Sequence, residues 1–423
     1  MDYLALGEEV DREAHVLCRY RLETDAPLEK AAGYVAAEQS TGTWTVTTTE
    51  TEEIVARYGA KVIEVERLGP RSGLATIAIP VEDFSIARGG IPQILSIVAG
   101  NVLGLEAVER LRLEEVSLPG AIVRQFKGPK FGADGVRGIL RREPGMPLLG
   151  TIIKPKIGLP PRGYGDYVYE AGMGGLTNSK DDETLVDQAF CPIVERTSVI
   201  AEALDRVEEE TGRKMLHAVN ISTRCDHLLE LAEEVIEAGA RQLMVDVLTS
   251  GFAAVQCLAE DPSIKVPIHV HRAMHAAMTR DPTHGIAMPV FALLVRLAGG
   301  DGLHIGTFGV GKMHGAAEED KASQSVLTRE LYGLKPLIPV CSGGMHPRLV
   351  PPLLAITGPD VQVQAGGGIS GHPKGVRAGA KAMVQAAEAY VKGIDIDEYA
   401  SKHEELHLAL EKWESAFGRG TAR

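Results

Sequence analysis

The sequence predicts an α/β chain in which a C-terminal TIM (β/α)8 barrel, residues 129–423, follows a small α+β, ferredoxin-like domain, residues 1–128. Three observations carry this. At 423 residues the chain is too long for one ordinary core. Eight apolar strand-like runs recur from about residue 148 onward, most of them separated by amphipathic helical pattern. Polar residues and glycines collect at the carboxyl ends of those runs, the end where a TIM barrel builds its active site.

In chain order, residues 1 to about 128 alternate strand-like runs (HVLCRYRLE, GTWTVTTT, KVIEVERL, LATIAIPV) with helical segments such as PLEKAAGYVAAEQ and IPQILSIVAGNVL. GPKFGADGVRGIL marks a boundary, because its glycines and proline interrupt both periods. The eight barrel runs are LLGTIIKPK, GGLTNSKDD, MLHAVNIS, RQLMVDVLT, VPIHVHRA, LHIGTFG, LIPVCSGG and VQVQAGGG. Between them lie helical patterns such as CPIVERTSVIAEALDRVEEETG and CDHLLELAEEVIEAGA. GFAAVQCLAEDP is shorter but long enough for a helix, and the tail IDIDEYASKHEELHLALEKWESAFG reads as further helix.

Composition narrows the class. A 44% hydrophobic and 24% charged chain is ordinary for a globular protein. The net charge of −13 argues against a nucleic-acid partner or an anionic membrane surface. Any anionic substrate must then be held by a local basic cluster. Five cysteines, odd in number and without CxxC spacing, read as reduced thiols and favour a cytoplasmic location. The acidic N-terminus is no secretory signal. ILSIVAGNVLGL is interrupted by polar residues, so no membrane span is expected.

The strand ends spell out a chemistry. Lys154 and Lys156 follow the first run, and Lys180 with Asp182 and Glu183 the second. His271 and Arg272 follow the fifth, His304 the sixth, Ser342 the seventh and Gly366 to Gly368 the eighth. A lone strand-end histidine is ordinarily a satisfied hydrogen-bonder, but six equipped strand ends describe an enzyme site. Lys180 and Asp182 share a strand face, with Glu183 at the turn. Two carboxylates suit Mg²⁺, whereas a protonated lysine would repel it. Addition of CO₂ to the neutral amine resolves the conflict by making a carbamate, N6-carboxylysine. SGGMH (342–346) and AGGGISGHP (365–373) follow the last two strands, where backbone N–H groups can cradle a phosphate. Arg272 and His304 could take a second phosphate. GTFGVGKMHG (306–315) is a Gly-rich loop that carries Lys312 like a lid.

At this point the chain resembles the large subunit of the RuBisCO (ribulose-1,5-bisphosphate carboxylase/oxygenase) family, most closely the archaeal form III type. The motifs AAEQSTGTWT, GPKFG, TIIKPKIGL, SKDDE, HVHRAMHA, HIGTFGVGKM, CSGGMHP and AGGGISGHPKG carry that likeness in order. The resemblance implies a Mg²⁺-dependent carboxylase with competing oxygenase activity, acting on ribulose bisphosphate to give two 3-phosphoglycerates. It implies that Lys180 is carbamylated and, with Asp182 and Glu183, holds the metal. Lys154 becomes the acid/base at the enediolate, supported by Lys156. His271 serves hydration and proton transfer, and Lys312 stabilises the new carboxylate. Arg272, His304 and Ser342 lie near one phosphate and the sugar hydroxyls. Gly343, Gly344, Gly366 and Gly367 form the other phosphate site, joined by Thr43 and Trp44. Glu38 and Asn101 come from a second subunit, which implies a homodimer with shared sites, able to assemble further and without small subunits.

Three departures from the family pattern stand out. Thr177 and Asn178 replace an acidic and an aromatic residue before Lys180, and His314 replaces a glutamate after the loop lysine. Rival readings are a RuBisCO-like enolase or isomerase acting on a related, sulfur-containing sugar phosphate, a Schiff-base aldolase using Lys154 or Lys180, and a non-catalytic phosphate binder.

Overall fold

The structure, a computed structural model, describes residues 3–42, 47–311 and 316–417. The chain divides into two compact units. One comprises Met1–Lys127 with Met274–Ala298 and Glu330–Leu334; the other comprises Gly128–Ala273, Gly299–Arg329 and Lys335–Arg423. Two segments that a linear division assigns to the barrel therefore group with the first unit.

In the first unit, β1 (His15–Glu23) leads to helix Leu28–Glu38, β2 (Lys61–Arg67), β3 (Ser72–Pro80), helix Ile86–Ala99 and β4 (Arg110–Ser117). The order β4-β1-β3-β2, antiparallel throughout, is the split β-α-β arrangement of a ferredoxin-like domain. β1 alternates buried and half-buried positions along its length, so one face packs against the helices. A fifth strand, β10 (Gly285–Ile286), adds parallel to β4.

Three local expectations change. The run 42–49, expected as a strand, is a bend at Gly42 and turn at 48–49, while 43–46 lie outside the described residues. β4 was hidden by its own charges: RLRLEEVS is half Arg and Glu, yet Leu111, Leu113 and Val116 still turn inward. GPKFGADGVRGIL is no mere break, since Gly132–Leu140 is a helix. By length and composition alone, Ile86–Gly104 could cross a membrane. In the fold it is kinked at Gly90, carries Pro92 and buries Ile91, Ile94 and Val98 in the first unit.

The second unit is a closed barrel of eight parallel strands. They are β5 (Leu148–Ile152), β6 (Asn178–Lys180), β7 (Leu216–Asn220), β8 (Gln242–Asp246), β9 (Ile268–His271), β11 (Gly302–His304), β12 (Ile338–Ser342) and β13 (Gln362–Ala365). Closure comes from β9 pairing β11 and β13 pairing β5. β7 and β8 are buried at every residue, as strands covered on both faces must be.

The amino end of the barrel is sealed by apolar packing. Val136 and Leu140 of helix Gly132–Leu140 meet Leu148, Leu216, Ile338 and Val340. Asp301 fixes the start of that helix by accepting from the N–H groups of Phe131 and Gly132, and it also accepts from Ile268 N–H. All five cysteines are free thiols: Cys18, Cys191 and Cys341 are buried, Cys225 and Cys257 exposed.

Candidate active site at the carboxyl end of the barrel

β5 and β6 pair in register, Ile152 beside Lys180, which sets the following residues of both strands side by side. Lys180 is 1% exposed, and its Nζ donates to the Asp181 carbonyl at 2.8 Å and lies 3.8 Å from Glu183 Oε2. Burial pushes its pKa down and Lys154 adds to that, against the pull of Glu183, Asp182 and Asp181. The neutral amine is therefore easier to reach than in water.

Lys154 Nζ donates to Asp182 Oδ2 at 2.9 Å, and Lys156 Nζ stands 3.9 Å from Asp182 Oδ1. Burial works to raise the Asp182 carboxyl, but hydrogen bonds from Lys154 and from Thr184 Oγ1 (2.9 Å) outweigh it and hold it below the usual value. A carboxylate, already ionised, thus faces the barrel interior next to a buried amine.

The neighbouring Asp181 points the other way, as alternate residues of a strand do. It accepts from Arg196 Nη2 at 3.1 Å, from Asn220 N–H at 3.0 Å and pairs with His217 Nε2 at 3.2 Å. Burial opposes its charge, yet Arg196 and His217 overcome that and bring its pKa to about 2. The three carboxylates of KDDE therefore divide: Asp181 is a strut to helix Ile193–Thr211, while Asp182 and Glu183 serve the mouth.

On the far side, His271 Nδ1 lies 3.3 Å from Asp246 Oδ2 and its Nε2 is 3.8 Å from Glu183 Oε2. Burial first, then Lys180, lowers its pKa, so the ring is neutral at pH 7. His304 Nδ1 meets Ser342 Oγ at 2.6 Å and its Nε2 meets His269 Nε2 at 2.7 Å, an interlocked pair also kept neutral by burial. Burial brings Arg272 down to about 10, still a cation at pH 7. The structure thus groups Lys154, Lys156, Lys180, Asp182, Glu183 and His271 directly, and His304 with Ser342.

The loop that carries Lys312 leaves from Gly311. A Cβ there would sit 2.3 Å from the Gly343 carbonyl, so only glycine allows the loop stem to lie against the first Gly-rich turn. Asp320 holds the stem from behind by accepting from Phe308 N–H at 2.8 Å. Lys312 and His314, like Thr43 and Trp44, lie outside the described residues. Glu38, half-buried at the end of its helix, and Asn101, exposed, belong to the first unit.

Sequence reasoning missed Asp246, His269, Asp181, Arg196 and His217. Asp246 ends the fourth barrel strand and His269 shares a strand face with His271, so both carried a readable signal. Arg196 sits in the first turn of helix Ile193–Thr211 and carried none.

Comparison with known proteins agrees with this geometry. The model of the ribulose bisphosphate carboxylase large chain N-terminal domain matches residues 3–122, and that of the catalytic domain matches residues 135–413. A ribulose bisphosphate carboxylase of Methanocaldococcus jannaschii is 42% identical over 404 residues, 91% of this chain and 94% of that one. Among solved structures, an octameric Rubisco of Pyrococcus horikoshii in complex with sulfate superposes with TM-score 0.91 at 38% identity, covering 97% of this chain and 96% of that chain. A dimeric archaeal Rubisco of Hyperthermus butylicus gives 0.88 at 36% identity, covering 97% and 98%. With both domains matched and the full barrel shared, this chain belongs to the ribulose bisphosphate carboxylase large-chain family.

Proposed function

We propose that the chain is a ribulose-1,5-bisphosphate carboxylase, with O₂ competing for the same enediolate, and that its chemistry centres on Lys180. The observation that carries this is a buried lysine with a lowered pKa, sharing one strand end with Asp182 and Glu183. Among the described residues no group of three His, Cys, Asp or Glu side chains could hold a metal ion. Two carboxylates and an amine fit Mg²⁺ only if the amine becomes an anion, and a buried, readily neutral lysine is the side chain that can take up CO₂ as a carbamate. Lys180 as carbamate, Asp182 and Glu183 would then hold the ion. When bound, Mg²⁺ supplies a Lewis acid for the substrate ketone and the charge of its enediolate.

The chain's own residues do the remainder. As the carbamate, Lys180 would supply the oxygen base for the proton at the third carbon of the sugar. Lys154, held against Asp182, carries a proton at Nζ for the enediolate oxygen and for the final carbanion, with Lys156 adding positive field. Neutral His271, oriented by Asp246, accepts a proton during hydration of the carboxylated intermediate. Arg272, His304 and Ser342 bind one phosphate. Backbone N–H groups of Gly343, Gly344, Gly366 and Gly367 bind the other, with Thr43 and Trp44. Lys312 pairs with the carboxylate formed from CO₂. Cleavage between the second and third carbons, with uptake of one water, gives two 3-phosphoglycerates.

Glu38 and Asn101 complete the site of a neighbouring subunit, so the working unit is a homodimer without small subunits, able to assemble further. The dimeric and octameric archaeal relatives support this reading. Its test is fixation of labelled CO₂ by purified protein preincubated with bicarbonate and Mg²⁺. Wild type is expected to place acid-stable label in 3-phosphoglycerate, and Lys180→Ala to lose about 10³-fold or more. Full activity in Lys180→Ala would overturn the scheme. Solvent-proton exchange into a sugar phosphate without fixation would assign the enolising reaction instead.

A further inference from the structure

The two Gly-rich turns after β12 and β13 touch backbone to backbone. A Cβ on Gly368 would lie 2.2 Å from the Met345 carbonyl and 2.9 Å from His346 Cα, so the turns move as one body or lose contact. One helix reaches both. Trp413, on helix Glu404–Phe417, stacks on the His346 ring with centroids 5.0 Å apart and planes 15° from parallel, and so grips the first turn. The same indole comes within 3.6 Å of the Cβ position of Gly371 in the second turn, and Lys412 Nζ donates to the Gly371 carbonyl. His346 is buried, which brings its pKa down to about 4 and leaves a neutral ring for the stack. The helix has further anchors in its first turn: His372, at the end of the second Gly-rich turn, lies with Nε2 2.9 Å from the Glu405 carbonyl, and Lys381 Nζ is 2.7 Å from Glu405 Oε1.

We propose that Lys412 and Trp413 are positioning residues for the phosphate cradle, tying both turns to one helix face so that their N–H groups are aligned before a phosphate monoester arrives. The proposal rests on the assignment of those turns to a substrate phosphate. Aligned donors lose little freedom on binding, whereas turns that must be ordered by the ligand bind it more weakly. The helix thus acts on affinity rather than on the reacting carbons.

The test uses the full-length protein, activated with bicarbonate and Mg²⁺, and compares Trp413→Ala, Trp413→Phe and Lys412→Met. For Trp413→Ala the expected result is a KM for ribulose 1,5-bisphosphate about fivefold to tenfold higher, matching loss of a stacked ring. Competitive inhibition by inorganic phosphate should weaken by the same factor, with kcat within about twofold. Trp413→Phe restores most of both, since a phenyl ring can still stack. Lys412→Met, on a half-buried position, shows a smaller rise in KM and carries the test should Trp413→Ala fail to fold. Unchanged KM and phosphate inhibition in folded variants overturn the proposal, as does a fall in kcat with KM fixed. If inorganic phosphate fails to compete even in wild type, the phosphate assignment of the turns falls and the proposal with it. Competition in wild type that is unaltered in the variants overturns the proposal alone.

Discussion

The two ends of the barrel are built from the same eight strands and share almost no chemistry. At the amino end, Leu148, Leu216 and Ile338 meet the apolar face of helix Gly132–Leu140. At the carboxyl end, within six residues of the starts of their barrel strands, stand Lys154, Lys180, Asp182, Asp246, His271 and Ser342. Strand geometry makes this possible, because a few residues of rise carry the chain from a dry plug to a polar mouth. The lesson is a separation of duties: packing at one end supplies stability, and the other end is free to keep buried charges that cost stability.

The separation is incomplete at one place, and that is where it can be broken. Arg196 and Asp181 are both fully buried and paired behind Lys180. Arg196→Met leaves Asp181 a buried charge short of its main partner, and is expected to cost about 3–5 kcal/mol, read as a drop in the urea midpoint, with carboxylation falling alongside. If stability falls and the activated rate holds, the strut belongs to the amino-end regime after all. The same pair gives a pH signature. Asp181 titrates at about 2 in the fold against about 3.9 unfolded. Its folded pKa is depressed, so its contribution is complete above about pH 4 and is lost as pH falls towards 2. Acid unfolding of Asp181→Asn should therefore be shallower than wild type across that window.

Leu216→Ala is the next largest effect and sharpens the contrast from the other side. Removing a buried side chain from the plug should cost about 3 kcal/mol while KM and kcat stay near wild type. A changed KM would show that the two ends communicate. Asp246→Asn is the smallest: it keeps the shape but removes the charge that orients His271. A loss of about tenfold in kcat, or about 1.4 kcal/mol, is expected with little change in the urea midpoint. An unaltered kcat would remove Asp246 from the site.

Much of this was legible in the sequence because barrel strands are continuous apolar runs and their functional residues sit just past them. VPIHVHRA and RQLMVDVLT needed no tertiary information to be placed. What could not be read were pairings between distant segments that leave no local period. β10 is two residues long and gains its place only from β4. The 132–140 helix starts at a glycine that a local reading takes as a break, and Asp301, far along the chain, holds that start. Strand alternation already separated Asp181 from Asp182 and Glu183, but its partner is an arginine that nothing in its own helix distinguished.

The distribution of thiols has a practical side. Three of five are shut inside, and burial pushes Cys18 up to about 12, so its thiolate is scarce at neutral pH. Cys225 and Cys257 lie exposed on neighbouring connections of the barrel, in the turn before helix Leu228–Glu237 and on helix Phe252–Glu260, and neither belongs to the catalytic constellation. Cys225 is thus the readier handle for a maleimide dye, because burial and then Asp261 and Glu260 raise the Cys257 thiol. Serine at either position would leave a single handle for fluorescence or spin labelling.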